Sequence, residues 1–376
     1  MSNRLISDKN VNCSWQAELD LLKTYPILFM IIIHVYENLS VGRIDPTPRT
    51  WLEHVLQFLA GPATAPAFMF AMGVGIIYSR NNAPEKLFRR GLKLFLAGYV
   101  LNAARSGILT TLGTALTGRF DIELTKYLFL NMDILHFAGL ALMLSALFFR
   151  LKVKPLAIAG VSLILQLIGR HLATLPEMTS DLGYIAGNFY KCTPVGCFPL
   201  MQWYIFPAFG ILYGTILQRV SDLKAWYKQL GLCSAVLLLC YVGTLAIFGL
   251  DMSPFYSLAD DAFYNQSLFT SIFSLLLIGV IMSISHPISV HFRGSALMGF
   301  VKHLSVHLNN IFVIQWILIG IWFSICRTFD LPDIPLGWVI PVGILIALLT
   351  GLILQKYLKR SCLREHPQIL CPGRKT

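Results

Sequence analysis

The chain has 376 residues, of which 56% are hydrophobic and 13% are charged, and its formal net charge is +11. Because a soluble domain carries about 25% charged residues, this composition excludes a soluble enzyme, a disordered protein and a secreted disulfide scaffold. A membrane-spanning helix needs about 20 apolar residues, so the chain has room for about ten spans and none for a large soluble domain.

Ten apolar segments are long enough to cross a membrane. Their apolar residues run continuously instead of alternating, as they would in a barrel strand. Since the polar groups of a backbone in lipid must be satisfied within the segment, the segments are predicted to be helices. We therefore expect an all-α fold, a polytopic membrane helix bundle of about ten transmembrane helices. The predicted segments are 20–39, 55–79, 91–111, 128–149, 155–174, 199–217, 231–249, 267–285, 303–326 and 336–355.

The loops between these segments differ in charge. With the N-terminus in the cytoplasm, more than twice as many Lys and Arg residues fall on the cytoplasmic side as on the outer side. This bias predicts that both termini are cytoplasmic. The expected organisation is an N-terminal tail at 1–19, a membrane domain at 20–355 and a basic C-terminal tail at 356–376.

The surroundings of the chain follow from the same features. Basic loops suit an anionic lipid surface, so the bilayer is the expected partner and nucleic acid is not. The polar N-terminus shows no signal peptide. Short loops without a targeting segment predict a multi-pass protein of the plasma (inner) membrane.

Ionisable residues inside the spans are the first candidates for function. Lys23 and His34 are 11 residues apart, close to three helical turns, so both lie on one face about 16 Å apart. Asp20 lies one turn before Lys23 and can pair with it. Asp133 and His136 share a face of the fourth segment, at a depth where they could meet His34. The structural alternatives are a snorkelling Lys23 and a buried Asp–His pair that only packs.

The ninth segment opens with Lys302 and His303, which together with nearby Arg293 could hold a phosphate-bearing ligand. His303 and His307 are spaced i, i+4, but the sequence has no third ligand or glutamate of a zinc signature. No metal site is therefore expected.

Two smaller features concern packing. Gly73 in the second segment predicts a close helix crossing and not a nucleotide-binding loop. Cys192 and Cys197 enclose four residues, and they form either a disulfide or two free thiols.

Several segments resemble a known family. Asp20-Leu21-Leu22-Lys23, followed by ten residues and His34, resembles the opening of the integral-membrane acyltransferase superfamily. That superfamily includes the heparan-α-glucosaminide N-acetyltransferase catalytic domain and the acyltransferase-3 type, in which Arg stands at the position of Lys23. The resemblance covers roughly residues 18–217 and extends weakly to 325. Further similar stretches are Phe68 to Gly75, Arg89 to Leu94, Asp133 to Leu140 and Phe198 to Leu200.

The resemblance implies an O- or N-acetyltransferase of ten or eleven helices. It would take an acyl group from cytosolic acetyl-CoA, or from another acyl-CoA, and pass it to an extracytoplasmic acceptor such as a glycan hydroxyl or amine. The family's histidine corresponds to His34, the expected general base, and His54 is a second candidate. Asp133 or His136 would orient the base. The expected donor-binding residues are Lys23, Arg89, Arg90, Lys302 and His303.

Three alternatives stay open at this point. The acyl group could be transferred directly, as we expect, or through an acyl-histidine. The same ionisable residues could form the proton relay of a transporter or flippase for a polar solute, although the chain shows no repeated halves. The chain could also be a non-enzymatic membrane protein that assembles with partners.

Overall fold

The computed structural model describes residues 5–80, 82–176, 182–190, 197–259 and 262–365, with side chains up to residue 359. Over these residues the chain is helical, with two isolated β-bridges and no β-sheet. The predicted all-α fold is confirmed. The helices are α1 (Ala17–Leu39), α2 (Trp51–Ala60), α3 (Ala65–Tyr78), α4 (Pro84–Asn102), α5 (Ile108–Leu116), α6 (Ile122–Leu130), α7 (Ile134–Arg150), α8 (Pro155–Leu172), α9 (Leu182–Ala186), α10 (Leu200–Trp203), α11 (Ile205–Leu217), α12 (Leu223–Ile247), α13 (Leu268–His291), α14 (Ala296–Val306), α15 (Leu308–Phe329) and α16 (Val339–Glu365).

Eight spans within the described residues are long and apolar enough to cross a membrane, and the bent pair α6–α7 makes a ninth. The predicted segment 91–111 corresponds to α4, a π-helical turn at Ala103–Gly107 and α5. It is absent from that set because the first turns of α4 are basic. The count of ten and the sides of the two termini stay predictions.

The helices run between two faces of the bundle. We call the side where α1 begins, at Ala17, the start face, and the side where it ends, at Leu39, the far face. Residues 5–12 lie across the start face, where the backbone N–H groups of Val11 and Asn12 donate to the carbonyl of Gln218. Helix α16 continues to Glu365, beyond the expected boundary at 356. Cys192 lies outside the described residues, so its pairing with Cys197 stays a prediction.

The predicted crossing at Gly73 is confirmed. A Cβ atom there would lie 2.1 Å from the carbonyl oxygen of Pro207 in α11. The contact is reciprocal, since a Cβ at Gly210 would lie 2.2 Å from the carbonyl oxygen of Phe70. Helices α3 and α11 therefore pack backbone against backbone, as small residues allow in membranes.

Two irregular segments shape the centre of the bundle. The π-helical turn at Ala103–Gly107 adds a residue to the α4–α5 helix, and such turns re-aim side chains. Across from it, α6 and α7 meet at a bend of 45°. The amide of Asn102 joins the two irregularities, because it donates to the carbonyls of Phe129 and Asn131 at 3.2 and 2.7 Å.

Candidate active site

His34 lies in the far-face half of α1 and is half-buried between α1 and α15. The side-chain amide of Gln315 lies 3.0–3.2 Å from its Nδ1 atom. The ring stacks on Trp316, with the centroids 4.2 Å apart and the planes inclined by 30°. Two consecutive residues of α15 therefore fix both the plane of the imidazole and its Nδ1 edge, while no hydrogen bond reaches Nε2 from the described residues.

Arg105 from the π-helical turn lies on the same indole. Its guanidinium carbon is 4.2 Å from the centroid of the Trp316 ring, a cation–π contact. Its Nη1 atom donates to Oδ2 of Asp133 at 2.7 Å. The side chains of Arg105 and Asp133 are only 9% and 13% exposed, so the ion pair is largely withdrawn from solvent. These contacts join four side chains into one continuous cluster, which we call the central cluster: Asp133, Arg105, Trp316 and His34.

His136 contacts Asp133, but through the backbone. Its Nδ1 atom accepts the backbone N–H of Asp133 at 3.0 Å, and the Asp133 carboxylate caps the same helix end through Ile134. This is a reciprocal cap at the start of α7. The His136 ring is fully buried, its Nε2 atom has no partner among the described residues, and Gly98 lies directly against it. Its contacts in the structure are those of a residue that closes a helix end.

A large cavity opens beside the central cluster toward the far face. Its volume is about 510 Å³, and we call it the far-face cavity. Its walls carry charged and amide side chains, among them Glu37, Asn38, Arg43 and Asn131, together with His34. The hydroxyl of Tyr264 donates to Glu37 at 2.8 Å. The wall is therefore rich in hydrogen-bonding groups of the kind that hold a polar ligand.

A second cavity, of about 350 Å³, lies in the start-face half of the bundle, and we call it the start-face cavity. Lys23, Arg90 and Asn309 line it beside an apolar wall that includes Met30 and Phe312. A gap of about 50 Å³ lies between the two cavities. The gap shares Met30 and Phe312 with the start-face cavity, and shares His34 with the far-face cavity.

The five expected donor-binding residues separate into two groups. Lys23 and Arg90 line the start-face cavity, and the predicted pairing of Lys23 with Asp20 is confirmed at 3.6 Å. Arg89, Lys302 and His303 do not line it. Arg89 lines an outer groove. The Nζ atom of Lys302 lies 4.7 Å from the centroid of the Trp15 ring, and the rings of His303 and His307 have their centroids 4.7 Å apart.

His54 lies on the exposed side of α2, away from both cavities and the gap. Its Nδ1 atom is 2.9 Å from the hydroxyl of Tyr256. Burial raises the pKa of the Tyr256 hydroxyl, so the group stays protonated and can donate to the imidazole. Among the described residues no group of three His, Cys, Asp or Glu side chains converges as metal ligands would. The structure thus brings His34 and Asp133 to the same cavity and leaves His54 outside it.

Arg105, Gln315 and Trp316 are the residues of the site that sequence reasoning missed. Arg105 is one of the outer-side residues in the comparison of loop charges, and nothing in the sequence marks the π-helical turn that carries it. Gln315 and Trp316 were visible as polar and aromatic residues within an apolar segment. Gln315 is 281 residues from His34 in the sequence, and so large a separation gives no information about contact.

Gly320 sets how closely α15 approaches this cluster. A Cβ atom there would lie 2.0 Å from the carbonyl oxygen of Arg105. We expect Gly320→Ala to push α15 away from the π-helical turn, and to lower both the melting temperature and any activity that needs His34. Gly160→Ala on α8 is the matched control, since nothing lies within 4 Å of its Cβ position. Equal melting temperatures for the two variants would contradict the close approach.

The family model "Heparan-alpha-glucosaminide N-acetyltransferase, catalytic" matches residues 16–252, more than half of the chain. A search of the curated proteins gives no match. The matched region holds His34, Arg105 and Asp133, whereas Gln315 and Trp316 lie beyond it. The chain therefore belongs to the heparan-alpha-glucosaminide N-acetyltransferase catalytic-domain family, a family of membrane-bound acetyltransferases.

Proposed function

We propose that this protein transfers an acetyl group from cytosolic acetyl-CoA, bound at the start-face cavity, to an acceptor hydroxyl or amine in the far-face cavity, with His34 as the general base. A glycan is the proposed acceptor, and the start face is the proposed cytoplasmic side. The membrane of residence is proposed to be the plasma membrane.

The observation that carries this proposal is the position of His34. It lines both the far-face cavity and the narrow gap that leads to the start-face cavity. A donor entering from one side and an acceptor entering from the other would meet beside this imidazole. Lys23 and Arg90 at the start-face cavity supply cations that suit the phosphates of CoA.

The proposed reaction needs one proton acceptor. When His34 carries its proton on Nδ1, that N–H donates a hydrogen bond to Oε1 of Gln315, and the Nε2 atom keeps its lone pair. The acceptor O–H or N–H gives its proton to Nε2 as its oxygen or nitrogen attacks the thioester carbonyl. The tetrahedral intermediate then expels the CoA thiolate, which takes the proton from the imidazolium and leaves as the free thiol. Direct transfer of this kind needs no acyl-histidine.

The central cluster would keep this geometry fixed during the reaction. Trp316 contacts both the imidazole and the Arg105 guanidinium, and Asp133 forms an ion pair with Arg105. An imidazole held on one face and at one nitrogen has little freedom to rotate. Such preorganisation keeps the base within reach of the attacking group.

The test is vesicle-reconstituted protein with labelled acetyl-CoA on one side only. Glucosamine and methyl glucoside, placed on the opposite side, serve as amine and hydroxyl probes. We expect label to reach a probe only when donor and acceptor are on opposite sides of the vesicle membrane. Protein that neither binds nor consumes acetyl-CoA would contradict the proposal, and uptake of a polar solute coupled to protons would then be measured.

Gln315→Ala tests the positioning of the base. The variant loses the contact to Nδ1, so the imidazole is free to rotate and to take the wrong tautomer. We expect a fall in kcat of about 10-fold to 100-fold, as misplacement of a reacting group produces, with an unchanged KM for acetyl-CoA. Asn310→Ala, in the first turn of the same helix, is the matched control. Unchanged kcat in Gln315→Ala would exclude a positioning role.

A further inference from the structure

We propose that the outer groove between α4 and α7 binds an anionic phospholipid, with Arg89 and Arg150 holding the headgroup phosphate and the apolar wall holding an acyl chain. Lipid binding at this groove does not depend on the proposed acetyl transfer. The groove, which we call the α4–α7 groove, has a volume of about 570 Å³.

The α4–α7 groove is polar at one end and apolar along the rest. At the start face, Glu85 and Arg89 from α4 and Arg150 from the end of α7 form its rim. From Arg150 the wall follows α7 back to Leu140, ten residues or about 15 Å along the helix axis. Leu200 of α10 adds a further apolar side chain to the lining. A charged rim above an apolar channel of this length matches a phospholipid headgroup above part of an acyl chain.

The charge of the rim favours an anionic headgroup. The two segments that form it, 84–93 and 150–154, together carry seven Lys or Arg residues and one carboxylate, Glu85. Arg89 and Arg150 are exposed, and neither makes an ion pair with a described residue. Basic pockets between membrane helices at an interface are typical headgroup sites. Arginine also matches a phosphate through two parallel N–H donors.

The α4–α7 groove is separate from the start-face cavity. Arg89 and Arg90 are neighbours in sequence, so their side chains leave α4 about 100° apart. Arg90 lines the start-face cavity, whereas Arg89 lines the groove. Substituting Arg89 and Arg150 therefore tests the lipid site without removing a cation from the cavity that we assign to acetyl-CoA.

The experiment is native mass spectrometry of the full-length protein, stripped of lipid in detergent and titrated with phosphatidylglycerol, phosphatidylcholine or inorganic phosphate. We expect a saturable phosphatidylglycerol adduct, with weaker binding of phosphatidylcholine. Arg89→Gln/Arg150→Gln should weaken the phosphatidylglycerol adduct about 30-fold, the combined effect of two cations at an anionic lipid. The matched control is Lys224→Gln/Lys228→Gln, which removes two exposed charges from α12 near the same face.

A second variant tests the apolar part of the groove. Leu147 lines the wall and is 50% exposed, so Leu147→Trp fills the channel and leaves both arginines in place. We expect it to weaken phosphatidylglycerol binding as well. Equal affinities for phosphatidylglycerol and phosphatidylcholine, unchanged binding in the Arg89→Gln/Arg150→Gln or Leu147→Trp variant, or equal weakening by the control pair would each overturn the proposal. We expect inorganic phosphate to displace no lipid. Full competition by inorganic phosphate would show a simple phosphate site and would also overturn the proposal.

Discussion

Replacing His34 by alanine is expected to abolish nearly all acetyl transfer. Removal of a positioned general base costs about 10²-fold to 10⁴-fold in rate. The loss should appear in kcat, because Lys23 and Arg90 at the start-face cavity would still hold the donor. The measurement is the initial rate of labelled acetyl transfer by purified variant protein, normalised to its folded amount.

Two other histidines make this test selective. His171→Ala, at the exposed end of α8, removes an imidazole that lines neither cavity and should leave the rate unchanged. His54→Ala decides between the two candidate bases, since His54 contacts Tyr256 outside the cavities. A large loss in His54→Ala with normal transfer in His34→Ala would move the base to α2 and contradict the central cluster as the reaction centre.

Breaking the ion pair of Arg105 with Asp133 is expected to have the largest effect on stability. Arg105→Met leaves the Asp133 carboxylate, which is only 13% exposed, without its cation. Leaving one partner of a buried pair uncompensated typically costs about 3–5 kcal/mol. The variant also loses the cation–π contact with Trp316. The measurement is the free energy of unfolding by denaturant in detergent micelles.

The double variant Arg105→Met/Asp133→Asn separates charge from packing. It removes the lone carboxylate and keeps an oxygen that can accept the N–H of Ile134 at the start of α7. We therefore expect it to recover more than half of the stability that Arg105→Met loses. If both variants were equally unstable, packing of the Arg105 side chain on Trp316 would account for the loss.

Much of the bundle could be predicted from the sequence, because apolar length and local spacing are properties of single segments. The fold class, the Asp20–Lys23 pair and the close crossing at Gly73 are all of this kind. The meeting of His34 and Asp133 at one cavity also followed from their depths in two segments. Each of these features depends on helical periodicity or on the thickness of a bilayer.

The partners inside the site depend on interhelical geometry and could not be predicted. His136 and Asp133 are three residues apart, which predicts a shared face. The bend before α7 turns that spacing into a helix cap. Arg105 reaches the centre through a π-helical turn, and Gln315 reaches His34 from a helix 281 positions later in the chain. No local sequence pattern predicts such contacts, since they depend on how separate helices pack.

The narrow gap beside His34 also has an electrical consequence. The potential across a membrane falls most steeply where space open to ions is smallest, and here a gap of about 50 Å³ lies between cavities of about 350 and 510 Å³. Moving one elementary charge through such a field costs about 2.3 kcal/mol per 100 mV. In the proposed reaction the acetyl group is uncharged and would cross without electrical work, whereas a proton or a sodium ion would not. If acetyl transfer runs across the membrane as proposed, a constriction at His34 would let the membrane keep its potential while a neutral group is passed from one side to the other.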